Sequence, residues 1–294
     1  MKKQILWYNQ SYNIMQRKKD MKTLYLSDLD GTLLSAESKL TPRTLDTLNR
    51  LIGGGMNFSV ATARTAFSTG FVLSGLRLTL PTIQQNGVYL YDFAEQEMLG
   101  TQYIPTQSVT RVFDLLSGSD ISPLVYTARD NVQTTHFERV TSPNMQAFLD
   151  MRATQYGQVI PRVARLESLA DCGIVYFCFI DTKERLAALA GAVREISGIS
   201  SVYSRDVSLV GEVWLLELFS ESASKAGGAK YLREHGGFER VVGFGDSLND
   251  LPLFAECDVS IAVANAADEV KSAADIVIGA NTEDSVARWL EENV

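Results

Sequence analysis

TLYLSDLDGTLL, residues 23–34, is a short apolar run, Thr23 to Ser27, ending in two carboxylates two residues apart. The run has the length and composition of a buried strand. Asp28 and Asp30 would leave its end on the same side, and Gly31-Thr32 lets the chain turn sharply around whatever they bind. Asp and Gly also make ordinary turns after strands. A turn uses one Asp and the Gly, however, and leaves the second carboxylate at fixed spacing unexplained. The arrangement suits a metal and a phosphate.

The residues that follow put this strand into a parallel sheet. Thr41-Pro42 offers an N-cap with Pro at the first helical position, Leu45, Leu48, Leu51 and Ile52 recur at helical spacing, and Gly53-Gly54-Gly55 stop the helix. A second strand spans Asn57 to Ala61. Strand, helix, strand is the βαβ unit, whose sheets bind ligands at the carboxyl ends of their strands. Asp28, Asp30, Thr62 and Arg64 fall at that edge.

From about Tyr91 the rhythm changes. Pro123 to Arg129 and Val132 to Phe137 read as a hairpin around Asp130-Asn131, with Asn131 able to take the left-handed turn conformation. Ile174 to Ile180 reads as a buried strand, Lys183 to Ile196 as an amphipathic helix, and Val202 to Val210 with Val213 to Phe219 as a hairpin around Gly211. Parallel βα order then returns with a helix over Ala223 to Glu234 stopped by Gly236-Gly237 and a strand over Arg240 to Phe244. A helix from about Pro252, a strand over Val259 to Val263, a helix near Asp268, a strand over Ile276 to Ile278 and a final helix complete the chain. The expected fold is therefore α/β: a Rossmann-like parallel core from residues 21–90 and 215–294, and an inserted α+β domain over 91–214 that can close over a ligand. Residues 1–20, before Met21-Lys22, read as an extension without a catalytic role.

Composition narrows the function. The 294 residues carry 27 basic and 35 acidic side chains, a formal net charge of −8, and no basic stripe with interleaved aromatics lies beyond the first twenty residues, which speaks against nucleic acid as partner. No apolar run approaches the ~20 residues of a membrane helix, and the start is too polar for a signal peptide. Cys172, Cys178 and Cys257 show no metal-ligand spacing and read as reduced core residues of a cytoplasmic protein. His136 and His235 have no partners at ligand spacing.

The returning half supplies GFGDSLNDLPLF, with Asp246, Asn249 and Asp250 just past a strand. One of them could cap the helix that begins near Pro252, but capping needs one residue and three oxygen donors gather here. Carboxylates and carbonyls are the ligands of a hard divalent cation. Lys225, in the first turn of its helix, opposes the positive end of the helix dipole, a sign that an anion nearby would reverse. Thr62 and Lys225 would grip a phosphoryl group while Asp28, Asp246 and a metal neutralise it, and phosphoryl transfer needs little more than such positioning.

The order DxDGT, a Thr at a strand end, a Lys, then GDSxND resembles the haloacid dehalogenase superfamily of phosphohydrolases. The segments ATAR, QNGVYLYD, SASKAGG, GDSLNDLPLF and VANAADEVKSAADIV resemble its Cof-type subfamily with a large α/β cap, over essentially residues 22–294. The resemblance implies that Asp28 is the nucleophile and forms an aspartyl-phosphate, and that Asp30 is general acid and then base. It implies Mg2+ held by Asp28, the backbone carbonyl of Asp30 and Asp246, with Asn249 and Asp250 supporting, and Thr62 and Lys225 on the transferring group. Arg64, Asn86 and Asn265 are the implied substrate contacts. Ala63 stands where the family's TGR has Gly, Ala264 replaces the Gly before Asn265, and Ser285 follows Asp284 where Gly is usual. The expected substrate is a small phosphorylated metabolite such as a sugar phosphate or phosphorylated cofactor, for a monomer or homodimer. A phosphomutase shares the same parts. A receiver-like signalling module also uses Asp, Thr and Lys around Mg2+, but lacks a large insert. Specificity would lie in that insert, with Tyr126, Arg129, Asp130 and His136 as candidates.

Overall fold

The computed structural model describes residues 21–205 and 211–294. In chain order the strands are β1 (Thr23–Ser27), β2 (Asn57–Val60), β3 (Thr82–Gln84), β4 (Tyr89–Asp92), β5 (Glu97–Leu99), β6 (Leu124–Arg129), β7 (Val132–His136), β8 (Ile174–Asp181), β9 (Ile199–Arg205), β10 (Trp214–Ser220), β11 (Arg240–Gly245), β12 (Val259–Val263) and β13 (Ile276–Ile278). They divide between two compact units. Among the described residues, one holds Met21–Val60, Leu76–Leu80 and Ala229–Val294; the other holds Ala61–Gly75, Pro81–Arg205 and Gly211–Gly228.

The first unit is built on a parallel sheet in the order β13-β12-β11-β1-β2. All five residues of β1 are buried, as expected for a central strand covered on both faces. The helix Pro42–Gly53 starts as its sequence predicts: the Thr41 side chain accepts the Thr44 N–H, with Pro42 at the first position. Its Leu48 and the Leu290 of the last helix, Ser285–Asn293, are buried. Register pairs Ser27 with both Val60 and Phe244, so β1, β2 and β11 end level and the loops after β1 and β11 leave the same edge.

The second unit carries an antiparallel sheet, β7-β6-β8-β10-β9, and a small one, β3-β4-β5. Alternation along β8 and β10 builds a core on each face of the larger sheet. Phe177, Phe179, Leu216 and Leu218 pack with Val109 and Val112 of the helix Thr106–Leu116 and with Leu186 and Ala190 of the helix Lys183–Val193. On the other face Tyr176, Cys178 and Phe219 pack with Met145 and Phe148 of the helix Pro143–Tyr156 and with Tyr89 and Met98 of the small sheet. The β6–β7 turn holds Asp130 and Asn131 both at positive φ, 50° and 63°, the two-residue geometry that matches strand twist. The expected strand over Val202 to Val210 is observed as Ile199–Arg205; residues 206–210 and 1–20 lie outside the described residues. The expectation of an α/β fold with a parallel core and a separate, inserted antiparallel part is met.

Candidate active site

Asp28 follows β1 immediately, and its N–H donates to the Phe244 carbonyl at 2.9 Å, extending the β1–β11 ladder by one rung. Its carboxylate is buried. Carboxylate oxygens of Asp28, Asp246 and Asp250 lie within 4.8 Å of one another, with Asp28 and Asp250 buried and Asp246 half-buried. Carboxylates gathered so closely would repel one another when ionised, and a cation among them would offset that repulsion. The donors are all oxygen, the set a hard divalent ion takes.

The loops are shaped to keep this cluster tight. Gly31 has φ +79°, and a β-carbon there would lie 2.4 Å from Asp246 Oδ2. Thr32 Oγ1 donates to Asp246 Oδ1 at 2.9 Å. Asp250 is fully buried and its Oδ2 accepts the backbone N–H groups of Asp246 and Ser247, both at 3.0 Å, so it fixes the loop that carries Asp246. Asn249 Oδ1 accepts from Ser247 Oγ at 2.6 Å. Asp30 is half-buried and its Oδ1 accepts from Ser38 Oγ at 3.3 Å; its carboxylate is not among the three that converge. Asn265 bridges two core loops, its Nδ2 donating to the Gly31 carbonyl at 2.8 Å and its Oδ1 accepting from Asn281 N–H at 2.9 Å. Both ends of its amide are thereby engaged with backbone, and the residue fastens the loop after Asp28.

The second unit gathers the other candidates. Thr62 lies two residues past β2 and is 1 % exposed. Its N–H donates to the Ile83 carbonyl, its carbonyl accepts from Asn86 N–H, and its Oγ1 accepts from Arg64 N–H at 3.1 Å. The Gln85 N–H donates to the Arg64 carbonyl, so residues 62–64 and 85–86 are laced together by backbone. Asn86 is buried at φ +59°. Next to it, Gly87 at φ +92° packs on Ser224 so closely that a β-carbon would lie 2.0 Å from the Ser224 carbonyl oxygen. That contact sets the start of the helix Lys225–Gly236, whose first residue, Lys225, is 2 % exposed. Thr62, Asn86 and Lys225 are thus assembled within one unit from three separate segments.

The candidates on the β6–β7 hairpin fare differently. Tyr126 is buried in the core, edge-on to Tyr176 at 5.6 Å, and burial pushes its hydroxyl well above the ordinary range. Arg129 and Asp130 are exposed at the turn. His136 Nε2 shares a hydrogen bond with Thr127 Oγ1 at 3.1 Å, and burial lowers its pKa. The sequence marks Asp250 as a support of the site without showing what it holds, and it gives Thr32 no partner. Both sit inside motifs it had marked, but which oxygen faces which donor is set by the fold.

A family described as haloacid dehalogenase-like hydrolase matches residues 25–290, and the chain belongs to it. The resemblance to that superfamily is therefore borne out, and the protein is an enzyme of the hydrolase class. Among curated proteins it is 27% identical over 278 residues to the pyridoxal phosphate phosphatase YbhA of Escherichia coli, an alignment that covers 90% of this chain and 95% of that one. It is likewise 27% identical over 272 residues to the 5-amino-6-(5-phospho-D-ribitylamino)uracil phosphatase YitU of Bacillus subtilis, over 90% and 95% of the two chains. In fold it is similar to the crystal structure of a haloacid dehalogenase-like hydrolase from Bacteroides thetaiotaomicron, with a TM-score of 0.77 and 22% identity over 92% of this chain and 99% of the other. No helix among the described residues is long and apolar enough to cross a membrane.

Proposed function

We propose that the protein is a Mg2+-dependent phosphatase of small phosphorylated metabolites that works through an aspartyl-phosphate on Asp28. The observation that carries the reading is the buried group of Asp28, Asp246 and Asp250 directly beyond β1 and β11. Asp28, Asp246 and the carbonyl of Asp30 would hold the ion, with Asn249 and Asp250 keeping the loop in place. The bound ion would offset the charge of the carboxylates and the phosphoryl oxygens, so that an anionic nucleophile can approach an anionic ester.

An Asp28 carboxylate oxygen attacks phosphorus and the bond from phosphorus to the ester oxygen breaks. Asp30 gives its proton to the departing alkoxide. It then takes a proton from the water that attacks the acyl phosphate, which releases inorganic phosphate and restores Asp28. Thr62 and Lys225 donate to the equatorial oxygens, where charge is held throughout. Arg64 and Asn86 meet the substrate. The inserted domain chooses the alcohol, because the core handles only the phosphoryl group.

Substrates of the kinds named for the two curated relatives, pyridoxal phosphate and a ribitylaminouracil phosphate, fit this reading, as do sugar phosphates. Phosphate release is to be followed across such a panel, with and without Mg2+, for the intact chain and for Asp28→Asn. Metal-dependent release that falls by about 10³-fold or more in the variant is expected. Conversion of one ester into an isomeric ester without free phosphate would replace the hydrolase by a mutase.

A further inference from the structure

Gln85, Asn86 and Gly87 follow one another at φ of 45°, 59° and 92°, three left-handed residues in a row, and all three are buried. Glycine takes this conformation freely and asparagine readily, but a glutamine does so only where its surroundings hold it. The backbone supplies part of the hold: the N–H groups of Gln85 and Asn86 donate to the carbonyls of Arg64 and Thr62, both at 2.9 Å. The preceding Gln84 is fixed on its own, its amide donating to Thr82 Oγ1 at 2.6 Å and accepting from Thr69 Oγ1 at 2.8 Å. What remains to be held is the Gln85 side chain, which is 2 % exposed.

The β6–β7 hairpin holds it. Gln133, the second residue of β7 and 48 positions from Gln85, donates from Nε2 to Gln85 Oε1. The other end of the same amide, Oε1, accepts from the Tyr89 hydroxyl at 3.3 Å, and that hydroxyl accepts the Ala66 N–H at 2.9 Å. Ala66 stands two residues after Arg64 and opens the helix Ala66–Val72. One amide therefore reaches both segments proposed to meet phosphate, residues 62–66 from one end and 85–86 from the other, all within the second unit. Both bonds need a donor at one end of the side chain and an acceptor at the other, and an aliphatic residue supplies neither.

We propose that Gln133 is a positioning residue for phosphoryl transfer: it clamps the left-handed turn Gln85–Gly87 against residues 62–66 and so keeps Thr62, Arg64 and Asn86 aimed at the phosphoryl group, without touching the substrate itself. The proposal rests on the phosphatase reading for the chemistry, but the clamp is measurable without it. Because the phosphoryl group is common to every ester, losing the clamp slows all substrates by one factor. A residue that contacts the alcohol slows them by different factors. A displaced grip costs most where charge moves in the transition state, so kcat falls more than KM rises.

Two measurements on the full chain test it. The first is kcat and KM with Mg2+ for three esters of unlike alcohols, p-nitrophenyl phosphate, ribose 5-phosphate and pyridoxal phosphate, in the intact protein, Gln133→Leu and Gln133→Glu. Leu keeps the bulk and removes both bonds, and is expected to lower kcat about tenfold or more, by the same factor for each ester and with KM little changed. Glu accepts from the Tyr89 hydroxyl and, once the Gln85 amide turns over, from Gln85 Nε2, so it is expected to keep most of the rate. The second is amide hydrogen exchange, read by mass spectrometry on peptides covering residues 62–66 and 84–88. The Leu variant is expected to exchange the Gln85 and Asn86 N–H groups about tenfold faster, and the Glu variant at the parent rate. An ester-dependent loss in Gln133→Leu, or unchanged kcat with unchanged exchange in a chain that hydrolyses the esters, would overturn the clamp and leave the phosphatase standing. Faster exchange confined to those peptides, in a chain that hydrolyses no ester, would uphold the clamp and sink the phosphatase.

Discussion

Gly31 illustrates how much of this site is carried by single positions. At φ +79° it adopts a conformation that a side chain makes costly, and the space a β-carbon needs is taken by the Asp246 carboxylate. Gly31→Ala therefore pushes Asp246 away from Asp28 rather than merely straining a turn. The expected result is a fall in kcat/KM of about a hundredfold with a rise in the Mg2+ needed for half-maximal rate, read from a metal titration of phosphate release. A change confined to thermal stability, with the metal requirement untouched, would contradict this account. The sharp turn at Gly31 was legible in the sequence, because a Gly directly after paired carboxylates at a strand end admits few uses. What Asn265 does was not. Its amide spans Gly31 and Asn281, residues 234 and 16 positions away, and no local pattern announces such a bond.

At the scale of elements, legibility follows the locality of the signal. The helix Pro42–Gly53 and the strands β1, β11, β12 and β13 could be read because caps, apolar runs and stop residues are adjacent to what they delimit. Ser142-Pro143 opens the helix Pro143–Tyr156 with the same chemistry as Thr41-Pro42, Ser142 accepting the Met145 N–H, yet the apolar face behind it is broken by polar residues and no helix was read there. The three-residue strands β3 and β5, TIQ and EML, lack the unbroken apolar run that makes the equally short β13, IVI, legible. A side chain reinforces the edge strand β13: Asp275 Oδ2 accepts from Ser260 N–H at 2.8 Å and Oγ at 2.7 Å, tying the start of β13 to β12. The Ser260 backbone N–H and hydroxyl that it accepts hold the Asp275 carboxyl below its ordinary value of 3.8. A carboxylate so favoured in the folded state contributes stability above that ordinary value, and the contribution is lost as pH falls through the lowered one. Asp275→Asn should accordingly lower Tm by about 2 °C at pH 7, with the gap to the parent closing as the pH is taken below 4, by scanning calorimetry. A gap that is constant with pH would mean that the hydrogen bonds, and not the charge, tie β13 down.

For the whole molecule, the two-unit plan could be read from the sequence because the parallel rhythm stops and resumes. It also sets what global stability reports. The three clustered carboxylates belong to the first unit, so the repulsion that a bound cation would offset bears on the stability of that unit. Asp246→Asn removes one of those charges while keeping an oxygen able to accept from Thr32 Oγ1. In chelator the variant is expected to melt above the parent, by roughly 1–2 °C. Mg2+ at a large excess over its dissociation constant raises the parent by the linkage term, about 2.7 kcal/mol at a hundredfold excess, whereas the variant gains far less. The order of the two melting curves should therefore invert on adding Mg2+. Curves that keep their order, with both proteins shifted equally by the ion, would show that the ion acts elsewhere and that Asp246 is not among its ligands. The inversion needs no substrate, so it tests the metal site independently of the identity of the ester.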